Sequence, residues 1–129
     1  MSVGLGAQNY NKALEDQYTS YYNASENSTY EYLTMNESLN GPVKKYQEEK
    51  LVMDGWFVDN KPHSKWHQYD LNGEKLAEIS YTMGKRNGTW KIWDEQGNLR
   101  YKYQYRNGKP IGKWEMYNEV GEVVQTKRY

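Results

Sequence analysis

The sequence predicts an all-β fold: an elongated, single-layer antiparallel sheet of tandem β-hairpins, about 24 residues each, with a short N-terminal helix. One observation is that aromatic residues and glycines recur at a constant step of 24 residues over the last 73 residues. Another is the stretch Leu99–Arg106, in which apolar and polar side chains alternate strictly. Only a strand places such residues on opposite faces.

Four sets of positions keep the 24-residue step: Trp66, Trp90 and Trp114; Tyr69, Trp93 and Tyr117; Gly73, Gly97 and Gly121; and Phe57, Tyr81, Tyr105 and Tyr129. Because the step is even, equivalent positions should point to the same side of the sheet. The Trp66 row and the Tyr69 row, three residues apart, should therefore lie on opposite faces. Hairpins that are marginal alone gain stability by stacking such rows against one another.

The composition is that of a folded chain whose apolar core is built mainly from aromatic side chains. Of its 129 residues 14 are Tyr, 5 are Trp and 1 is Phe, although the mean hydropathy is only −1.16. Disordered chains are usually poor in aromatic residues. Acidic and basic residues are equal at 17 each, so net charge favours no partner, and the absence of Cys excludes disulfides and thiolate sites.

The first eight residues, MSVGLGAQ, are typical of the cleavage end of a secretory signal peptide. We therefore expect residues 1–8 to be a signal-peptide remnant and the protein to be exported to the periplasm or cell surface. The alternative is an ordinary disordered N-terminus, which leaves a cytoplasmic location open.

A helix is predicted over residues 9–24 as part of an N-terminal cap, residues 9–27, that covers the first edge of the sheet. Leu14, Tyr18, Tyr21 and Tyr22 fall on one helical face, and the stretch contains no Gly or Pro.

The repeat domain is predicted over residues 28–129. Its units are 28–48, 49–72, 73–96 and 97–120, with a partial unit at 121–129. Asn107-Gly108 predicts one kind of turn, because both residue types tolerate positive φ. The segments Asp70–Gly73, Asp94–Gly97 and Asn118–Gly121 predict another. In the first unit Val43 takes the place of Trp.

The repeat also carries a recognisable motif, most complete in Tyr105-Arg-Asn-Gly108-Lys109-Pro-Ile-Gly112-Lys-Trp114-Glu-Met-Tyr117-Asn118-Glu-Val-Gly121. It resembles the MORN-repeat variant family of glycine-rich β-hairpins. In the unit that begins at Phe57, Asn60 and Ser64 occupy the glycine positions. The resemblance implies protein interaction or a membrane-proximal role. Some bacterial members of that family are antitoxin-like, and the resemblance implies no shared active site.

No catalytic, cofactor-binding or metal-binding residue is predicted, and we expect a protein that is not an enzyme. His63 and His67 stand four residues apart with Asp70 nearby, a spacing that suggests a metal pair on a helix. The repeat alignment instead places His63 in a turn and His67 on a strand, so their rings should not converge.

The predicted function is a module for protein–protein interaction in the bacterial cell envelope. A single-layer sheet cannot bury both faces against itself, and residues 84–113 hold eight basic and two acidic side chains. The partner-binding residues that we predict combine rings with basic groups: Trp66, Tyr69, Lys85, Arg86, Trp90, Trp93, Arg106, Lys109, Trp114 and Tyr117.

The sequence leaves partners other than a protein open. A glycan is one alternative, because short Trp/Tyr hairpins also resemble the choline- and glucan-binding repeats of bacterial surface proteins. Those repeats carry a Gly-Trp pair, which this chain has only at Gly55-Trp56. An anionic membrane surface, an antitoxin-like role and self-association through an exposed edge strand are further alternatives. The balanced charge disfavours nucleic acid.

Overall fold

The computed structural model describes residues 18–129, which form one open antiparallel sheet of twelve strands. The strands are β1 (Tyr18–Asn23), β2 (Ser28–Met35), β3 (Ser38–Gln47), β4 (Lys50–Val58), β5 (Lys61–Tyr69), β6 (Lys75–Thr82), β7 (Lys85–Arg86), β8 (Gly88–Trp93), β9 (Leu99–Arg106), β10 (Lys109–Pro110), β11 (Lys113–Tyr117) and β12 (Val123–Arg128). Ten strands pair in chain order, while the two-residue strands β7 and β10 pair with β6 and β9. The predicted all-β class is confirmed.

The predicted helix is wrong over Tyr18–Asn23, which forms the edge strand β1. This strand pairs with β2 in register, with Tyr21 opposite Tyr30. Its sequence, YTSYYN, is rich in tyrosine, which favours a pleated surface, so the helical spacing of its rings was coincidental. The sheet thus begins ten residues before the boundary predicted at residue 28. The rest of the predicted helix, residues 9–17, and the predicted signal remnant lie outside the described residues.

At one end of the strands, two-residue turns link neighbouring hairpins. Asn60, Gly84 and Gly108 have φ of 66°, 85° and 83°, and Asn60 thus adopts the conformation of the glycine whose position it takes. Each backbone N–H donates to a carbonyl of the preceding hairpin, at 2.9, 2.8 and 2.8 Å. Ser64 (φ 63°) likewise matches the glycine conformation of its own row. The backbone conformation of these turn positions therefore repeats every 24 residues, as the sequence does.

At the other end, the turns after β5, β8 and β11 are closed by Asp70, Asp94 and Asn118. In each, the side-chain Oδ1 accepts the backbone N–H groups two and four residues ahead, at 2.9 to 3.1 Å. The Asn118 amide oxygen therefore closes its turn in the same way as the carboxylates of Asp70 and Asp94 close theirs. The turn needs only the acceptor oxygen.

We predict that Asp94→Asn makes stability less dependent on acidic pH. Hydrogen bonding, first of all from the backbone N–H of Asn98, lowers the pKa of Asp94 below its ordinary value of 3.8. A lowered pKa contributes stability that is present above the ordinary value and lost as the pH falls through the folded-state pKa. The urea midpoint, measured across this acidic range, should fall less steeply in Asp94→Asn. Asn118→Ala is the control that loses its turn acceptor at every pH. Identical pH profiles for Asp94→Asn and the wild type would contradict the prediction.

Side chains separate the sheet into an aromatic face and a polar face. On the aromatic face a continuous row of rings, here the aromatic ladder, joins Phe57, Trp66, Tyr81, Trp90, Tyr105, Trp114 and Tyr129, with successive centroids 4.8 to 6.3 Å apart. Two of the rows predicted from the sequence therefore merge into one. Among the described residues the buried apolar side chains are Val43, Ala77 and the ladder ring Tyr105.

Candidate binding faces of the sheet

The ten predicted binding residues do not form one patch. Trp66, Trp90 and Trp114 are inner rings of the aromatic ladder and are half-buried. Lys85, Arg86, Arg106 and Lys109 flank the two-residue turns at one end of the strands. Tyr69, Trp93 and Tyr117 stand at the opposite end, directly before the Asp70, Asp94 and Asn118 turns.

Arg86 joins the basic group to the ladder. Its guanidinium carbon lies 5.1 Å from the ring centroid of Trp90 and 5.3 Å from that of Tyr105. At such distances a cation is attracted to the electron-rich ring faces. Of the four predicted basic residues, only Arg86 has such a contact with the ladder among the described residues. The aromatic–basic combination predicted from the sequence is thus concentrated on Arg86, Trp90 and Tyr105.

The Tyr69 row makes contacts of a different kind. The Tyr69 hydroxyl donates to Asp54 Oδ2 at 3.2 Å, and burial, with Asp54 next, raises the pKa of Tyr69. The Lys75 ammonium lies 5.9 Å from the Trp93 ring centroid. Arg100 Nε donates to the Tyr117 carbonyl at 2.9 Å. These three aromatic residues are held locally and have no shared ladder of their own.

A groove of about 610 Å³ crosses the polar face between β3 and β5. Asp54 lines this groove, and its Oδ1 lies 2.9 Å from His67 Nδ1 while its Oδ2 accepts from the Tyr69 hydroxyl. Trp56, 46% exposed, forms part of the groove wall. The arrangement fixes the imidazole by a carboxylate. The sequence showed the Gly55-Trp56 pair but not its neighbours, because the β4–β5 register shifts between Asp54 and Trp56.

His63 and His67 both lie on β5, so the prediction that His63 sits in a turn is wrong. The rings still engage different partners, since His63 Nδ1 accepts the Met83 backbone N–H at 3.1 Å whereas His67 faces Asp54. Within residues 18–129 no group of three or more His, Asp or Glu side chains is arranged to hold a metal ion. In the same stretch there is no helix long and apolar enough to cross a membrane.

We predict that His63 stabilises a turn and that Asn can replace it. One unit further on, Asn87 Oδ1 accepts the Asn107 N–H at 3.2 Å, as His63 does for Met83, and Asn40 Oδ1 accepts from Asp59 at 2.9 Å. His63→Ala should therefore lower the free energy of unfolding by about 1 kcal/mol, the usual worth of one such bond. His63→Asn should restore most of it in urea denaturation. Equal losses in the two variants would refute this role.

No protein-family model matches the chain, and no curated protein matches its sequence. Two crystal structures are similar in part: a mutant of S. aureus TarM in complex with Fondaparinux, alpha-GlcNAc-glycerol and UDP, and TarM. In both the identity is 12%, the TM-score is 0.39, and the match covers 84% of this chain but 23% of the TarM chain. This chain therefore spans less than a quarter of TarM, and a likeness at this TM-score carries no argument about function.

Proposed function

We propose that the protein is a non-catalytic repeat module that binds another protein through the aromatic face. The observation that carries this proposal is the aromatic ladder, seven rings in contact along one face of an open sheet, with Arg86 stacked at its middle. Half-exposed aromatic residues and arginine are the side chains that most often dominate the energetics of protein interfaces. The partner surface that fits is apolar with a carboxylate opposite Arg86.

The packing of the rings favours a protein partner over a glycan on this face. Sugars stack on open ring faces, but the inner rings of the ladder each have ring neighbours on both sides, at interplanar angles of 53° to 82°. The contacts among these rings, and the Arg86 guanidinium over Trp90 and Tyr105, take up ring surface that a sugar would need. Rings tilted against one another form a corrugated surface, which suits interdigitating apolar side chains.

The broader assignment rests on the repeat itself. Conformations shared by Asn60, Gly84 and Gly108 support an elongated array of MORN-like hairpins, in which units differ on the surface while keeping their turns. A scaffold of this kind supports interaction more readily than chemistry. A place in the bacterial cell envelope completes the proposal.

The test is site-specific photo-crosslinking in the native host, with matched positions on β5. Gln68 and Lys65 are both exposed, but Gln68 lies on the aromatic face and Lys65 on the polar face. A crosslinker at Gln68 should capture one protein that the crosslinker at Lys65 does not. The purified partner should then bind Arg86→Glu at least about tenfold more weakly, whereas Lys50→Glu, at the other end of the strands, should bind normally. Capture from Lys65 alone, or none from either position, would refute the proposal.

A glycan site is the second candidate, favoured by one observation on the other face. Trp56 is 46% exposed and lies in the groove beside Asp54 and His67, so its ring is open to a sugar while polar groups stand nearby. Titration with cell-wall polysaccharides should shift tryptophan fluorescence saturably in the wild type. The shift should vanish in Trp56→Ala and persist in Lys85→Gln. No shift in the wild type would exclude this candidate.

A further inference from the structure

A line of ionisable side chains runs across the polar face, one from each of eight neighbouring strands in direct register. From β2 to β11 it reads Glu31, Lys44, Asp54, His67, Glu78, Lys91, Lys102 and Glu115. Carboxylates alternate with basic groups at every step except one. Lys91 of β8 faces Lys102 of β9 directly.

Directly opposed like charges destabilise an antiparallel pair, because their Cβ atoms stand only about 5 Å apart. Nearby carboxylates are already engaged. Glu78 bonds Lys65 at 2.9 Å and has Lys75 at 3.9 Å, and the Lys65 hydrogen bond lowers the pKa of Glu78. Glu115 bonds Lys113 at 3.4 Å. Within residues 18–129, neither Lys91 nor Lys102 has an ion-pair partner, although both are half-buried.

The two lysines also line a cavity. A groove of about 530 Å³ next to the Trp56 groove includes Lys91 and Lys102 together with the hydroxyl side chains of Ser80 and Thr89. The Glu78 carboxylate also lines this groove, where it is paired with Lys65. Ser80 and Thr89 lie on the adjoining strands β6 and β8, and the Ser80 hydroxyl donates to the Thr89 carbonyl at 3.4 Å. Two ammonium groups and two hydroxyls therefore line one groove from β6, β8 and β9. The two ammonium groups and the Thr89 hydroxyl can donate hydrogen bonds to a ligand, whereas the Ser80 hydroxyl already donates to the Thr89 carbonyl.

We propose that Lys91 and Lys102 form a binding site for a tetrahedral oxyanion, a phosphate or sulfate group of a ligand. Each ammonium binds one oxygen of the anion and the Thr89 hydroxyl donates to another, so the anion supplies negative charge between Lys91 and Lys102, the one step of the row where two basic groups are adjacent. Charge-assisted bonds to such oxygens are stronger than neutral ones. The site lies on the face opposite the aromatic ladder and does not depend on the proposed protein partner.

The experiment measures the thermal midpoint in inorganic phosphate, in sulfate and in chloride at matched ionic strength. Phosphate or sulfate should raise the midpoint of the wild type well above its value in chloride, because a ligand of the folded state stabilises it. Lys102→Glu should lose the increment from phosphate, because a carboxylate replaces one of the two ammonium groups and repels the anion.

Controls make the outcome specific. Lys85→Gln, an exposed lysine outside the groove, should keep the full increment, whereas Lys91→Gln and Lys102→Gln should lose it even if Lys102→Glu fails to fold. Equal midpoints in phosphate, sulfate and chloride, or loss of the increment in Lys85→Gln, would overturn the proposal.

Sedimentation with phosphatidic acid vesicles then distinguishes the two sources of a phosphate group. Lysine-dependent binding to vesicles identifies a lipid headgroup, and a response to glycerol 3-phosphate without vesicle binding identifies a soluble phosphoester.

Discussion

Replacing Gly55 with Ala is expected to destabilise the protein by about 3 kcal/mol, near the upper end of what an overpacked site usually costs. A Cβ at this position would lie 2.1, 2.4 and 2.5 Å from three carbons of the Trp66 indole. That ring packs directly on the β4 backbone and is held between Phe57 and Tyr81 at 5.1 and 6.3 Å, so it cannot move aside without disturbing the ladder. Urea denaturation of the single variant measures the loss.

Two controls separate the steric cost from any other effect. In a Trp66→Ala background, Gly55→Ala should add little, because the ring that it meets is gone and the two losses are not additive. Gly121→Ala, where a Cβ meets nothing within 4 Å but φ is 86°, should cost about 1 kcal/mol for backbone strain alone. Additive losses in the double variant would show that Gly55 is not reserved for Trp66.

The repeat was predictable because the residues that define it act locally, within one strand or one turn. A 24-residue step is even, so each ring of the Trp66 row returns to the same face, and the ladder follows. Asn60 and Ser64 could be placed in glycine positions for the same reason, and their positive φ values match those of the glycines. Features that depend only on one strand and its turns can therefore be predicted from the sequence.

Features that depend on pairing between strands could not be predicted. The opposition of Lys91 and Lys102 follows from the β8–β9 register, which shifts between Ile92 and Trp93. The proximity of Gly55 to Trp66 similarly depends on the bulge in β4–β5. A bulge inserts a residue on one strand only, and no alternation within that strand reports it. The helix predicted over Tyr18–Asn23 is wrong for the same reason, because the pairing that makes this segment a strand is with β2, in another part of the chain.

Truncating Trp114 to Ala is expected to cost about 4 kcal/mol, in the range of large aromatic truncations, and to release the end of the sheet. Its ring contacts Tyr103, Tyr105 and Tyr129 at centroid distances of 4.5, 5.1 and 4.8 Å, and its Nε1 donates to the Gln104 carbonyl at 3.0 Å. Trp114→Phe should recover much of the packing but lose the hydrogen bond. Trp56→Ala, at an exposed ring on the polar face, should cost less than about 1 kcal/mol.

The loss in Trp114→Ala should also be uneven along the chain, because each strand of a repeat sheet is held mainly by its neighbours. The edge strand β12 pairs only with β11, and Tyr129, just beyond it, packs on Trp114. Amide hydrogen exchange should therefore accelerate first in β11 and β12, while β2 to β4 keep the protection of the wild type. Uniform acceleration from β2 to β12 would instead mean that the sheet unfolds as one cooperative unit, in which no ring holds a particular strand.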